Sequence, residues 1–189
     1  MECVILAAGS SSRLGMDKAL VNVGSQTLIS WISRRLSSRV ANITIVANES
    51  NFAEISKIVS DVNVILNRNP HEGRTGSLKL GIDSIDSSRV KDYRLLVVPV
   101  DRPGFSDSTL DHLICSEETC CPMKEGRGGH PLMLTFEDVD KVRRSSANSP
   151  LREVIEASRF EVLDRFLELN IDTPEDIINL QEKLQLVNE

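Results

Sequence analysis

Four short apolar runs alternate with segments of helical period across the first hundred residues, and that alternation leaves few folds open. Continuous apolar runs mark strands buried on both faces, and such strands belong to a parallel sheet covered by helices on each side. The runs predict strands at 2–8, Asn42–Ala47, Val62–Leu66 and Tyr93–Val100, the last being the most apolar. Between them, Leu28, Ile29, Ile32 and Leu36 share one face of a helix expected over Thr27–Leu36. Asn51 is expected to cap a helix carrying Phe52, Ile55, Ile58 and Val59, and Gly76–Ile85 also has helical period. Further on, Ser106 or Asp107 would cap a helix reaching Leu113 and Ile114. Strands are expected at 119–123, 131–135 and Phe160–Leu163, with a helix over Pro150–Ala157. Thr173-Pro174-Glu175-Asp176 reads as a helix start, with a cap, a proline at the first helical position and acids in the first turn.

The pattern predicts one α/β domain over 1–189, a three-layer α/β/α sandwich on a mainly parallel, Rossmann-like mixed sheet. Its 189 residues suffice for a full core. A net charge of −6 argues against a broad polyanion-binding surface, so no nucleic-acid partner is expected and an anionic ligand needs a focused cluster of cations. Cys3, Cys115, Cys120 and Cys121 do not make a disulfide framework in a chain this long, and the adjacent pair lacks metal-ligand spacing, so reduced structural thiols are expected. The first strand begins at once, without a signal-peptide pattern, and no apolar run is long enough to span a membrane. These features predict a cytoplasmic protein with no membrane partner, a monomer or small homo-oligomer.

Residues 5–18, Ile-Leu-Ala-Ala-Gly-Ser-Ser-Ser-Arg-Leu-Gly-Met-Asp-Lys, carry the chemistry. The apolar run ends in two alanines and a glycine, then serines, and Arg13 and Lys18 follow within one loop. In an open α/β sheet this loop falls at the carboxyl end of a strand, where ligands bind. Small residues let a nucleotide approach the backbone, amides face its phosphates, and the two cations neutralise them. Neither G-x-x-x-x-G-K-[ST] nor G-x-G-x-x-G is present, which disfavours a P-loop or a dinucleotide fold. A second site is Val97-Val-Pro-Val-Asp101-Arg-Pro103, a carboxylate pinned between prolines after an apolar strand and suited to Mg²⁺. Asp172, before the last helix start, either stabilises the helix dipole or serves as a second Mg²⁺ ligand. Asn67 and Ser77 flank a polar loop that opens a helix toward an anion or base, and Arg127 and His130 sit on a glycine-rich hinge as substrate contacts.

Taken together, the residues resemble the molybdenum-cofactor nucleotidyltransferase family, within the superfamily of sugar-phosphate and methylerythritol-phosphate nucleotidyltransferases. The opening motif L-A-[AG]-G-x-S-x-R-x-G-x-x-K is met by Leu6, Ala7, Ala8, Gly9, Ser11, Arg13, Gly15 and Lys18. P-x-D-x-P is met by Pro99, Asp101 and Pro103, and a G-H-P loop by Gly129, His130 and Pro131, with Gly128 where an arginine is usual. Gly76-Ser77-Leu78 and Gly81 fit S-L-x-x-G, and Asn170, Asp172, Thr173, Pro174 and Asp176 fit D-x-D-T-P-x-D apart from its first acid. Arg102 stands where glutamine or methionine is usual.

The resemblance implies a nucleotide-diphospho-sugar-transferase type of fold, with a nucleotide-binding half at 1–105 and an acceptor-binding half at 106–189. It implies transfer of a nucleotidyl group to molybdopterin with release of pyrophosphate. Leu6, Ala7, Ala8, Gly9, Asn67 and Ser77 would bind the nucleotide. Arg13, Lys18 and Asp101 would be catalytic, Asp101 and Asp172 would hold Mg²⁺, and Arg127 and His130 would bind the acceptor. Ala8 and His130-Pro131 point to CTP over GTP. The alternatives are a guanylyltransferase, a cytidylyl- or guanylyltransferase for a sugar or polyol phosphate, and a non-catalytic nucleotide-binding module.

Overall fold

The computed structural model describes residues 1–88 and 92–188. Its main sheet runs β10-β7-β9-β6-β1-β4-β5, with β8 paired to β7. The strands are β1 (Glu2–Ala7), β4 (Asn42–Ala47), β5 (Asn63–Leu66), β6 (Leu95–Pro99), β7 (Cys120–Lys124), β8 (Arg127–Gly128), β9 (Leu132–Leu134) and β10 (Ser158–Glu161). β2 (Asn22–Val23) and β3 (Gln26–Thr27) form a separate two-residue ribbon. The helices are α1 (Leu28–Ser37), α2 (Phe52–Ile58), α3 (Gly73–Ser87), α4 (Asp107–Cys115), α5 (Phe136–Arg144), α6 (Leu151–Val154), α7 (Pro174–Ile177) and α8 (Leu180–Gln185). Among the described residues, no helix is long and apolar enough to cross a membrane.

β1 pairs in parallel with both β4 and β6, so the sheet grows outward from it in two directions. That is the switch point of a doubly wound sheet, and it opens a crevice beyond the carboxyl ends of β1 and β6. β9 runs antiparallel to β6 and makes the sheet mixed. Side chains alternate along β1: Cys3, Ile5 and Ala7 join a core layer with α1, α4 and the carboxyl-terminal segment, while Val4 packs on the other face with Leu78, Ile82 and Val139. Cys120 and Cys121 likewise point into opposite layers, and all four cysteines are free. Desolvation raises the thiol pKa of the buried Cys3, Cys120 and Cys121.

Thr27 and Ser106 cap α1 and α4 by accepting from the amides of Ser30 and Thr109. Two expectations are corrected. The helix expected over Pro150–Ala157 is one turn, because Ile155 turns to extended backbone and leads into β10. That last strand begins at Ser158, and Leu163 lies outside it, fully exposed. α5 and α8 lay outside the sequence expectations; α5 is so strongly charged that its buried stripe reduces to Val139 and Val142.

One close approach ties the last quarter of the chain to the sheet edge. A Cβ added at Gly104 would lie 1.8 Å from the carbonyl oxygen of Phe166, and the Ile171 amide donates to the Asp101 carbonyl at 3.0 Å. Backbone cannot yield as a flexible side chain can, so Gly104→Ala is expected to cost about 3 kcal/mol. Urea unfolding measures it, and a loss below about 0.5 kcal/mol would contradict this account of the contact.

Candidate active site

The loop after β1 is held from behind by buried amides. Asn51 is fully buried and donates through Nδ2 to the Ala7 carbonyl at 2.9 Å and to Asp17 Oδ2 at 2.8 Å. Its Oδ1 accepts from the Asn48 amide at 2.9 Å, and Asn48 Nδ2 donates to the Gly9 carbonyl at 3.1 Å. Asn51 precedes α2, as expected of a cap, but its side chain makes no cap bond because it is committed to this tether. Asp17 accepts from the Ala19 amide at 2.9 Å and caps the helical turn Lys18–Leu20. Burial nevertheless raises the Asp17 pKa, against those hydrogen bonds and the Lys18 charge. The loop's path is therefore fixed before any ligand arrives.

Lys18 rises from that turn between two carboxylates. Its Nζ donates to Asp172 Oδ1 and lies 3.5 Å from Asp101 Oδ2. Arg13 Nη2 donates to Asp172 Oδ2 at 3.0 Å, with the arginine side chain 72% exposed. The Lys18 hydrogen bond is the largest cause holding the Asp172 carboxyl below the usual range, with Asn170 and Arg13 assisting. Asp176 Oδ2 accepts from the amides of Asp172 and Thr173 at 2.9 and 2.7 Å, which fixes the direction in which Asp172 faces.

Two cavities border this cluster, and a third, larger one meets them at Arg74. One of about 160 Å³ is lined by Leu6, Ala7, Ala8, Gly9, Ser11, Asp17, Lys18, Ser77 and Asp101 among others. A second, of about 260 Å³, runs along residues 9–13 to Lys18, Asp101, Arg102, Asn170 and Asp172. The third, about 1320 Å³, opens beside them over β6, β7 and β9, where His130, Arg152 and Arg159 line it. A Cβ at Gly9 would meet nothing within 4 Å, so its open side faces space a ligand can use.

The structure thus brings together Leu6, Ala7, Ala8, Gly9, Arg13, Lys18, Ser77, Asp101 and Asp172, with His130 in the adjoining cavity. Asn67 is buried behind them, donating to Ser77 Oγ at 3.0 Å and accepting from the Asn69 amide at 2.7 Å. Arg127 is exposed on the β7–β8 hairpin and lines none of the three cavities. The part that Asn48, Asn51 and Asp17 play in holding the loop has no sequence signal, because isolated amides and turn aspartates have no periodic signature. Arg74 belongs to the polar segment read as opening a helix, but its place on all three cavities emerges only in the fold.

His130 follows Gly129, where an added Cβ would meet Leu167 at 2.9 Å, and forms a cis bond to Pro131. Its Nδ1 is buried without a partner among the described residues. Burial is the largest cause pushing its pKa from 6.5 down to about 4, and the charges of Arg74 and Arg102 add to it.

Fold and site define a class: an α/β nucleotide-binding protein whose cations and carboxylates converge at the switch point of the sheet. Residues 3–162 match the family described as MobA-like NTP transferase domain, and the chain belongs to that family. A molybdenum cofactor guanylyltransferase of Sinorhizobium fredii is 27% identical over 205 residues, covering 96% of this chain and 90% of that protein. A molybdenum cofactor cytidylyltransferase of Escherichia coli is 20% identical over 192 residues, covering 97% and 96%. The structure of a nucleotidyl transferase from Methanothermobacter superposes with a TM-score of 0.75 at 19% identity, covering 99% and 98% of the two chains. The chain is a nucleotidyltransferase.

Two outcomes check the site's construction. Asn51→Ala leaves buried partners unpaired and is expected to cost about 2 kcal/mol and to weaken nucleotide binding. Chemical unfolding and nucleotide-induced thermal shift measure the two effects; an unchanged shift would detach Asn51 from the loop. For His130, the folded pKa lies below the unfolded one, so the unfolded chain takes up the proton first on acidification. Its contribution to stability is full above about pH 6.5 and is lost as pH falls toward about 4. Melting temperature should fall more steeply over that window in the wild type than in His130→Asn, and parallel curves would refute the shift.

Proposed function

We propose that this chain transfers CMP from CTP to molybdopterin with release of pyrophosphate, assisted by Mg²⁺. The observation carrying this reading is the Lys18 ammonium shared by Asp101 and Asp172, where the two small cavities meet. Leu6 to Gly9 and Ser77 would receive base and ribose. Arg13 would hold the β- and γ-phosphates, and Lys18 the charge developing at the α-phosphate. An acceptor phosphate oxygen attacks the α-phosphorus; the new P–O bond forms as the bond to the β-phosphate oxygen breaks, and pyrophosphate leaves with that electron pair. Such a reaction asks for positioning and charge stabilisation rather than a covalent protein intermediate.

The donor set fits Mg²⁺. Asp101 and Asp172 are oxygen ligands close enough to share one ammonium, and no group of three or more His, Cys, Asp or Glu converges among the described residues. Two carboxylates completed by substrate phosphates are a usual setting for Mg²⁺. The ion supplies charge neutralisation across the phosphates when bound. Without it, Lys18 together with Arg13 offsets the two carboxylates, and the Lys18 ammonium must turn toward the triphosphate when the nucleotide enters.

CTP is preferred over GTP on Ala8 and the Gly129-His130-Pro131 loop, and molybdopterin as acceptor on the motifs in order along the chain. Pyrophosphate release from CTP and from GTP, with molybdopterin and Mg²⁺, tests the reading directly. Faster release from GTP would transfer it to guanylyl chemistry. Nucleotide binding without release for molybdopterin, sugar phosphates or polyol phosphates would leave a binding module only.

Lys18→Met is expected to lower turnover by about a thousandfold. The same variant removes the charge the two carboxylates share and leaves only Arg13 on Asp172, so its affinity for Mn²⁺ alone should rise, as electron paramagnetic resonance would show. Asp101→Asn should lose both turnover and that Mn²⁺ binding. Unaltered Mn²⁺ affinity in both variants would remove the carboxylate pair as the metal site.

A further inference from the structure

Three of the five buried side-chain polar atoms without a hydrogen-bond partner among the described residues are Arg102 Nε, His130 Nδ1 and Asn170 Oδ1, and all three residues line the clefts described above. Buried polar atoms are almost always satisfied, so a concentration of unsatisfied ones marks groups built to meet a ligand. Arg102 is otherwise tethered only weakly, its Nη1 standing 3.5 Å from the Glu168 carbonyl. Arg74, on the first turn of α3, is exposed and makes no hydrogen bond or ion pair among the described residues, yet it lines all three cavities. Arg74 lines one cavity with His130 and another with Arg102 and Asp101, so it stands between the two groups, and the charges of both arginines reach His130.

We infer that Arg74, Arg102 and His130 form a subsite for the phosphate monoester of the acceptor. Two guanidinium forks match the oxygens of a phosphate and offset its dianionic charge, which isolated lysines do less specifically. The imidazole contributes a further hydrogen bond through its buried Nδ1. The subsite borders Lys18 and Asp101 through Arg74 on one side and opens into the large cavity through His130 on the other. A phosphate held there stands next to the α-phosphate position, while the rest of its ester occupies the large cavity. Arg13 lines the 260 Å³ cavity together with Arg74 and Arg102 but is paired with Asp172, and the nucleotide's own β- and γ-phosphates are assigned to it. Arg102 is thereby a specificity residue, the position after the metal carboxylate having been turned into a phosphate contact. The assignment rests on the nucleotidyl-transfer reading above.

The test uses the full chain saturated with Mg²⁺ and a non-hydrolysable α,β-methylene analogue of CTP, with methyl phosphate as the probe. Histidine imidazole NMR signals and calorimetry follow the titration. His130 signals are expected to shift saturably on adding methyl phosphate, and affinity is expected to fall at least about tenfold in Arg74→Gln and in Arg102→Gln. Arg102→Lys should recover part of the loss, and affinity for the nucleotide analogue should stay within about threefold in all variants. Arg74 is exposed, so Arg74→Gln gives an answer even where a change at Arg102 disturbs folding. Equal methyl phosphate binding in the variants, or unmoved His130 signals, would overturn the subsite. Displacement of the analogue by methyl phosphate, one for one, would assign the same groups to the nucleotide's phosphates and also overturn it. Pyrophosphate release from CTP by the wild type is measured in parallel; if it persists while the subsite fails, nucleotidyl transfer stands without this assignment.

Discussion

The site depends on the central strand being hydrogen-bonded along both edges. β1 shares its register with β4 on one side and β6 on the other, and the connections leaving those neighbours diverge. The crevice this opens is where the loop after β1 and the turn after β6 face each other, which sets Lys18 against Asp101. A chain with β1 at a sheet edge could carry the same residues and never assemble them. The apolar alternation of β1 is therefore both a packing device and the means by which the charged residues meet.

Much of this was legible from the sequence because it rests on local, periodic or contiguous signals. The buried parallel strands are continuous apolar runs, and the signature loop is a contiguous block of small residues and cations. Asp101 was conspicuous for being pinned between prolines after such a strand. Other features have no such signal. Asn51 looked like a helix cap, and only the tertiary structure shows its amide spent on Ala7 and Asp17. Pro150 announced a helix longer than its single turn, because the chain is drawn out to pair β10 with β7. Arg74 was one arginine in a polar segment until the fold put it at the meeting point of three cavities.

The electrostatic design is one of prearranged substitution. In the free protein the four charges around Lys18 have stand-in partners: Lys18 serves the two carboxylates, and Arg13 serves Asp172. Substrate and metal would exchange these contacts for others of like sign, which limits the electrostatic cost of emptying the site. Arg74 and the buried atoms of Arg102 and His130 differ in having no such stand-in among the described residues.

The contact between Gly104 and Phe166, and the amide of Ile171 on the Asp101 carbonyl, have a consequence for how the protein comes into being. A growing chain can lay down β1, β4, β5 and β6 and already present Lys18 and Asp101 while residues beyond 164 are still unmade. The ammonium then has one carboxylate instead of two, and the turn after β6 lacks the backbone that clasps it. Completion of the centre thus waits on the residues beyond 164, and activity becomes a report that they have been made and docked.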